Sequence, residues 1–156
     1  NDIDALLVKA QSASARNQTQ FALEAAQLAQ ANDPLNADTY IILASIYRRE
    51  GADWRARQVF EDGFKKLPQD FQLVEAYTQY LHQLGDKGRA MSITRSFARA
   101  LPSSERAWEI FAAQCQASRD RICLTSAQKG LSNAKTAYHV DETPGAIPNR
   151  GLFGQI

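Results

Sequence analysis

Apolar residues return along this chain at spacings of three and four, in stripes about one helix long, and the stripes themselves return. Tyr40, Leu43 and Tyr47 form one, Val74, Tyr77 and Leu81 the next, Trp108 and Phe111 another. Each is the buried side of an amphipathic helix. Turn-forming residues punctuate the stripes on the same schedule. Pro34, Pro68 and Pro102 each stand 34 residues from the next, where a helix cannot continue. Two residues beyond each proline comes a side chain able to accept from a free backbone N–H, at Asn36, Asp70 and Ser104, with Asp2 one period earlier. These predict four helix starts.

Halfway through each period the pattern breaks again, at Asn17, Gly51, Gly85 and Arg119, followed by Asp53, Asp86 and Asp120 as caps of a second helix. Each period is therefore read as two helices. A small residue recurs where they must approach closely: Ala10, Ala44, Thr78 and Ala112 in the first helices, Ala22, Ala56 and Ala90 in the second, with Leu124 the exception. A pair of helices about 14 residues long cannot cover its own apolar stripe, so each pair must stack on the pairs before and after it. The expected architecture is all-α, an α-α superhelix of about four helix-turn-helix units over 1–134, divided as 3–36, 37–70, 71–104 and 105–134, followed by an irregular C-terminal tail over 135–156.

The spacing resembles the tetratricopeptide repeat, a 34-residue unit with an aromatic, a Leu-Gly or Leu-Ala pair, a Tyr, an Ala, an aromatic, a second small residue and a Pro at fixed offsets. Residues 37–70 carry Tyr40, Leu43-Ala44, Tyr47, Ala56, Phe60, Gly63 and Pro68 in those places. The units on either side match more loosely, and the last is a worn copy. Two departures stand out. Lys9 occupies a place where leucine should be buried, which suggests a frayed or partner-covered end. Phe97 replaces a small residue and requires room opposite it.

The resemblance implies a concave surface lined by the first helices and used to hold a peptide or a partner's helix. Projecting their outward faces puts Asp38, Ile41, Ser45 and Arg48 in this groove, then Gln72, Glu75, Gln79 and His82, then Arg106, Glu109, Ala113 and Gln116. One subclass grips a chaperone's C-terminal carboxylate with a lysine and an asparagine. Here Leu7 and Gln11, and Ile41 and Ser45 one unit later, stand at those places, so that clamp is absent. The alternative is an RNA-processing scaffold built of half-a-tetratricopeptide repeats, whose signatures "ARQVFEDGFKKLP" (56–68) and "AWEIF" (107–111) resemble. Arg55, Arg57, Lys65, Lys66, Arg89, Arg95 and Arg99 would then form a convex basic stripe, interrupted by Glu61 and Asp62.

Charge changes this picture little. Lys and Arg number 18 against 17 Asp and Glu, so no net field draws the chain to nucleic acid or an anionic membrane, and nucleic acid is the disfavoured partner. No stretch approaches the roughly 18 to 20 apolar residues of a membrane span. Membrane attachment is expected only through an anchor outside this chain, since the only methionine is Met91 and something upstream, a signal peptide, an anchor or a further domain, is expected to have been removed.

Cys115 falls late in the last first-helix and Cys123 early in the helix after it. A short antiparallel turn brings such positions within the roughly 4.4 to 6.8 Å between Cα atoms that a disulfide needs. A disulfide, and with it the bacterial periplasm or another extracytoplasmic compartment, is the preferred reading over two reduced thiols in the cytosol. No metal spacing accompanies them, because His82 and His139 are the only histidines and neither lies near in sequence. There is no nucleophile with a base, no paired carboxylates and no glycine-rich phosphate loop, so neither an enzyme nor a cofactor or small-molecule substrate is expected. The tail, with Tyr138, Val140, Ile147, Leu152, Phe153 and Ile156, is too apolar for a solvated linker. It is expected to pack on the last repeats, with "RGLFG" (150–154) as a docking motif the alternative. The whole reads as a non-catalytic protein-protein interaction scaffold, the soluble part of a larger bacterial envelope protein.

Overall fold

The computed structural model describes residues 2–140. Eight helices follow one another, α1 (Ile3–Ala15), α2 (Thr19–Asn32), α3 (Ala37–Arg49), α4 (Asp53–Lys66), α5 (Phe71–Gln83), α6 (Lys87–Ala100), α7 (Glu105–Ala117) and α8 (Arg121–Val140). Odd helices begin at 3, 37, 71 and 105 and even helices at 19, 53, 87 and 121, each 34 residues after its counterpart.

The starts of the first helices are fixed by side chains. Asp2, Asn36, Asp70 and Ser104 each accept a hydrogen bond from a backbone N–H in the first turn that follows, satisfying a donor the helix leaves free. The second helices are less uniform. Asp86 and Asp120 accept from the N–H groups of Arg89 and Cys123. Asp53 does not cap: Ala52 holds that position without a side-chain bond, and Asp53 is already the first helical residue. The sequence offset explains this, since Asp53 lies one residue later in the period than Asp86 and Asp120.

All four mid-hairpin breaks take the left-handed conformation, Asn17 at φ 59°, Gly51 at 73°, Gly85 at 81° and Arg119 at 56°. Each first helix ends in the same pair of bonds. Gln18, Ala52, Asp86 and Asp120 donate N–H to the carbonyls of Ala13, Tyr47, Leu81 and Cys115, and the break residue itself donates to the carbonyl three residues back. This is the Schellman arrangement, which turns the chain sharply enough to start an antiparallel helix.

Hairpins then stack. Within each pair α1 packs on α2, α3 on α4, α5 on α6 and α7 on α8, while α2, α4 and α6 pack on α3, α5 and α7 of the next pair. First helices also touch one another, α1 on α3 and α3 on α5, and no comparable packing joins second helices among the described residues. The first helices therefore form the inner wall of an α-α superhelix. Its core runs along the stack, from an alanine-rich start (Ala10, Ala22, Ala26, Ala29) to Phe60, Tyr77, Tyr80, Phe97 and Phe111, all buried.

The two departures from the repeat pattern resolve differently. Phe97 is buried and meets the Phe71 ring edge-on at 4.9 Å between centroids. One repeat earlier its register position is Gly63, where an added Cβ would come within 2.8 Å of the Tyr40 ring. Tyr40 itself corresponds to Val74, so in the third hairpin bulk has moved from the first helix to the second. Trp108 restores the ring in the fourth and packs over Gly130. Both Tyr40 and Trp108 also reach back to a proline carbonyl, Tyr40 Oη donating to Pro34 at 2.8 Å and Trp108 Nε1 to Pro102 at 3.0 Å. Lys9, by contrast, is left on the surface.

Residues 135–140 of the segment expected as tail continue α8. The remainder, including Ile147, "RGLFG" and Ile156, lies outside the described residues, as does the expectation that it packs on the last repeats.

Candidate functional site

The inner wall presents the outward faces of α3, α5 and α7. Between α3 and α5 a cleft of about 200 Å³ is lined by Ile41, Ser45, Arg48 and Gln79, with Phe60 and Tyr80 among its other walls. It arises because side chains of moderate length stand on the first-helix surfaces while Phe60 fills in from α4 behind. Arg48 is held above it. Its guanidinium lies 5.1 Å from the centroid of the Tyr80 ring and donates to Gln83 Oε1 at 2.6 Å, a cation–π contact and a hydrogen bond that together fix a long side chain.

Four of the remaining groove positions form links between neighbouring hairpins. Gln72 donates to Asp38 across α3 and α5. Arg106 pairs with Glu75 at 2.8 Å and lies over the Phe71 ring at 5.0 Å. His82 Nδ1 is shut away from solvent with no hydrogen-bond partner. Glu109, Ala113 and Gln116 are exposed on α7 and join none of these contacts. Thus four of the sequence-derived groove residues share the cleft, four more pair across repeats, Glu109, Ala113 and Gln116 stand apart on α7, and His82 joins neither group.

The convex side behaves otherwise than a free basic stripe. Glu61 accepts from Tyr77 Oη and from Arg89 at 3.0 Å, and Arg57 pairs with Asp86 at 2.7 Å. Burial raises the Glu61 pKa, but its bonds from Tyr77 and Arg89 outweigh that and hold the carboxyl below the usual carboxylate value. Burial, reinforced by the same carboxylate, pushes the Tyr77 phenol above the ordinary tyrosine range. The backbone N–H of Arg89, then the Arg57 guanidinium, hold Asp86 low. Arg55 lies over the Trp54 and Tyr47 rings, and Arg95 over Phe111 at 5.6 Å. Sequence reading did not find the Glu61–Tyr77–Arg89 group, although Glu61 and Arg95 share a register position, as do Tyr77 and Phe111, and that pairing was there to be seen.

Across the last hairpin's turn, Cys115 and Cys123 stand at disulfide-bonding distance, their Cα atoms 5.4 Å apart. Among the described residues no group of three or more His, Cys, Asp or Glu is placed to hold a metal, and no helix is long and apolar enough to cross a membrane.

Comparison with known proteins bears on the fold. No protein-family model matches the sequence and no curated protein matches it. Among solved structures, one of MamA superposes with a TM-score of 0.55 at 14% identity, covering 90% of this chain and 81% of MamA. A second MamA structure gives 0.55 at 14%, covering 94% and 80%. PilF of Pseudomonas aeruginosa gives 0.58 at 16%, covering 85% of this chain, which spans 61% of the PilF chain. Both are tetratricopeptide-repeat proteins, and the chain shares their fold.

Proposed function

We propose that the chain is a non-catalytic scaffold that binds a peptide or a segment of a partner protein along its inner wall, at the α3–α5 cleft. A helical solenoid of the tetratricopeptide type supports protein–protein interaction in general. The α3–α5 cleft supports one position for that contact. The observation that carries it is the convergence of an apolar floor, Phe60 with the Tyr80 ring, and a positioned cation, Arg48, on one concave surface. An extended segment offering an apolar side chain to the floor and a carboxylate to Arg48 suits these walls. The convex cations favour this reading over RNA binding, because Arg57 and Arg89 are already engaged by Asp86 and Glu61 and have less charge to offer phosphates.

An extracytoplasmic location accompanies the proposal. It is supported by the Cys115–Cys123 geometry, since such pairs persist as disulfides where the compartment is oxidising.

The test is affinity capture with the wild-type chain and with an Arg48→Glu, Gln79→Glu variant whose helicity is unchanged. Partners seated in the cleft disappear from the variant's eluate and bind the wild type saturably once purified. Equal recovery by both proteins overturns the groove assignment.

A further inference from the structure

The nearly balanced charge of the chain is unevenly placed. Within four residues of the mid-hairpin breaks at Asn17, Gly51, Gly85 and Arg119 stand eight lysines and arginines against four carboxylates, whereas the same windows around Pro34, Pro68 and Pro102 hold four of each. Because successive helices run in opposite directions, the breaks line one long edge of the stack and the proline turns line the other. Of the eight cations, Arg48 and Arg89 are already engaged by Gln83 and Glu61. Arg16, Arg49, Arg55, Lys87, Arg119 and Arg121 are exposed and have no ion-pair partner among the described residues. Three of the four carboxylates are in use: Glu50 accepts from the Thr19 hydroxyl, Asp86 pairs with Arg57 and caps α6, and Asp120 caps α8. A local field of one sign is left along this edge.

Large apolar side chains stand on the same edge. Trp54 is 66% exposed and Leu84 43% exposed. Both belong to hairpins stacked on each side, so their exposure does not depend on where the described stack ends. The fold does not require them there. One repeat away in either direction the Trp54 position holds Gln20 and Gly88, and the Leu84 position holds Glu50 and Ser118. Two repeats on, the Trp54 position is Ile122, again exposed. Trp54 and Ile122 are each the second residue of a helix. A helical Cα–Cβ bond tilts toward the N-terminus, so both side chains overhang the turn and project from the edge. The Arg55 guanidinium lies 5.2 Å from the centroid of the Trp54 ring. Isolated apolar residues on a surface are ordinary, but an indole and two aliphatic side chains set among six unpaired cations match the make-up of a membrane-interface surface.

We propose that this edge seats the chain on an anionic lipid surface. Trp54, Leu84 and Ile122 enter the boundary between head groups and acyl chains, and the flanking arginines and Lys87 pair with lipid phosphates. A protein partner would need a separate pocket for each of three side chains spread over three hairpins. A bilayer yields to all of them at once.

Co-sedimentation of the whole chain with vesicles of phosphatidylcholine, alone or mixed with phosphatidylglycerol, tests the idea. The mixed vesicles are expected to bind about tenfold or more tightly, and less so as salt rises. Trp54 emission, read in a Trp108→Phe background, should shift to the blue and be quenched by brominated acyl chains. Trp54→Gln with Ile122→Gln should weaken binding about tenfold at unchanged helicity. Arg49→Glu with Arg121→Glu should abolish the preference for anionic lipid, while Lys65→Gln with Lys66→Gln, on the other edge, should leave it intact. The inference fails if both vesicles bind equally or neither binds, or if either pair of edge substitutions changes nothing. It fails equally if the pair on the other edge removes the preference. A Trp54 shielded from acrylamide in the free chain would mean that another segment of the chain covers the edge. Binding of polyglutamate or single-stranded RNA but not of vesicles would name a different partner. Either result overturns it.

Discussion

Gly63 and Tyr40 give a direct measure of how the hairpins close. A Cβ at Gly63 would lie 2.8 Å from Tyr40 Cγ and 3.1 Å from its Cβ, atoms at the root of a side chain that cannot swing aside. The ring is buried and its hydroxyl is tied to the Pro34 carbonyl. Replacing Gly63 with alanine gains about 1 kcal/mol of helix propensity, but overpacking a fixed core costs about 1 to 3 kcal/mol. Gly63→Ala should therefore destabilise by about 1 kcal/mol. Tyr40→Ala alone should cost about 3 to 5 kcal/mol in lost burial and hydrogen bonding. In that background the contact at 2.8 Å is removed and only the one to Cβ at 3.1 Å remains, so Gly63→Ala should become stabilising by up to about 1 kcal/mol. The cycle predicts a coupling of up to about 2 kcal/mol, read from urea unfolding of the four proteins at equal m-value. If Gly63→Ala stabilises both backgrounds alike, the close approach of α4 to Tyr40 is refuted, and with it the account of how Val74 makes room for Phe97.

Other consequences follow from single contacts. Arg119 holds a left-handed conformation at φ 56°, which costs a non-glycine residue about 1 to 2 kcal/mol. Arg119→Gly should stabilise by about 0.5 to 1 kcal/mol after the added freedom of the unfolded chain is offset, and a thermal melt with unchanged or lower midpoint would contradict this. Glu61→Gln should cost about 1 kcal/mol at neutral pH, the usual value of a charge-assisted bond discounted because Arg89 is 39% exposed. Because the Glu61 pKa is lowered on folding, its contribution is present above the unfolded carboxylate value near 4.3 and is lost as pH falls through the folded value. The gap between wild type and variant should therefore shrink in acid, and a gap constant from pH 7 to pH 2 would rule the pairing out. Thiol titration of the native isolate should find no free cysteine until reduction, which should then lower stability by about 2 to 3 kcal/mol for so small a ring.

Much of the fold was legible because it repeats. One proline, one break or one small residue is a weak signal, but the same residue types at 34-residue intervals fix helix starts and left-handed turns together. What period alone could not show was compensation between repeats. Phe97 looked anomalous in its own unit, and only the paired change at Val74 explains it. Asp53 illustrates the opposite error: a residue of the right type, one place out of register, is a first-turn residue and not a cap. The groove was legible as a set of positions but not as a set of partners. Side-chain reach across 31 to 35 residues, as in Arg106 to Glu75 and Arg48 to Gln83, depends on the rotation between hairpins, which no single repeat encodes.

Those cross-repeat links bear on how the inner wall could recognise anything. Asp38 with Gln72, Glu75 with Arg106 and Arg48 with Gln83 bridge successive hairpins, so they stiffen the curvature that makes the wall concave. A segment entering the groove and bonding to these groups must replace interactions that already exist, and the net gain from each is correspondingly small. Gln79 makes no side-chain hydrogen bond among the described residues, whereas the Tyr80 ring beside it is already covered by the Arg48 guanidinium. Selectivity on this wall should accordingly come from the shape of the cleft floor and from Gln79, while the paired charges set orientation.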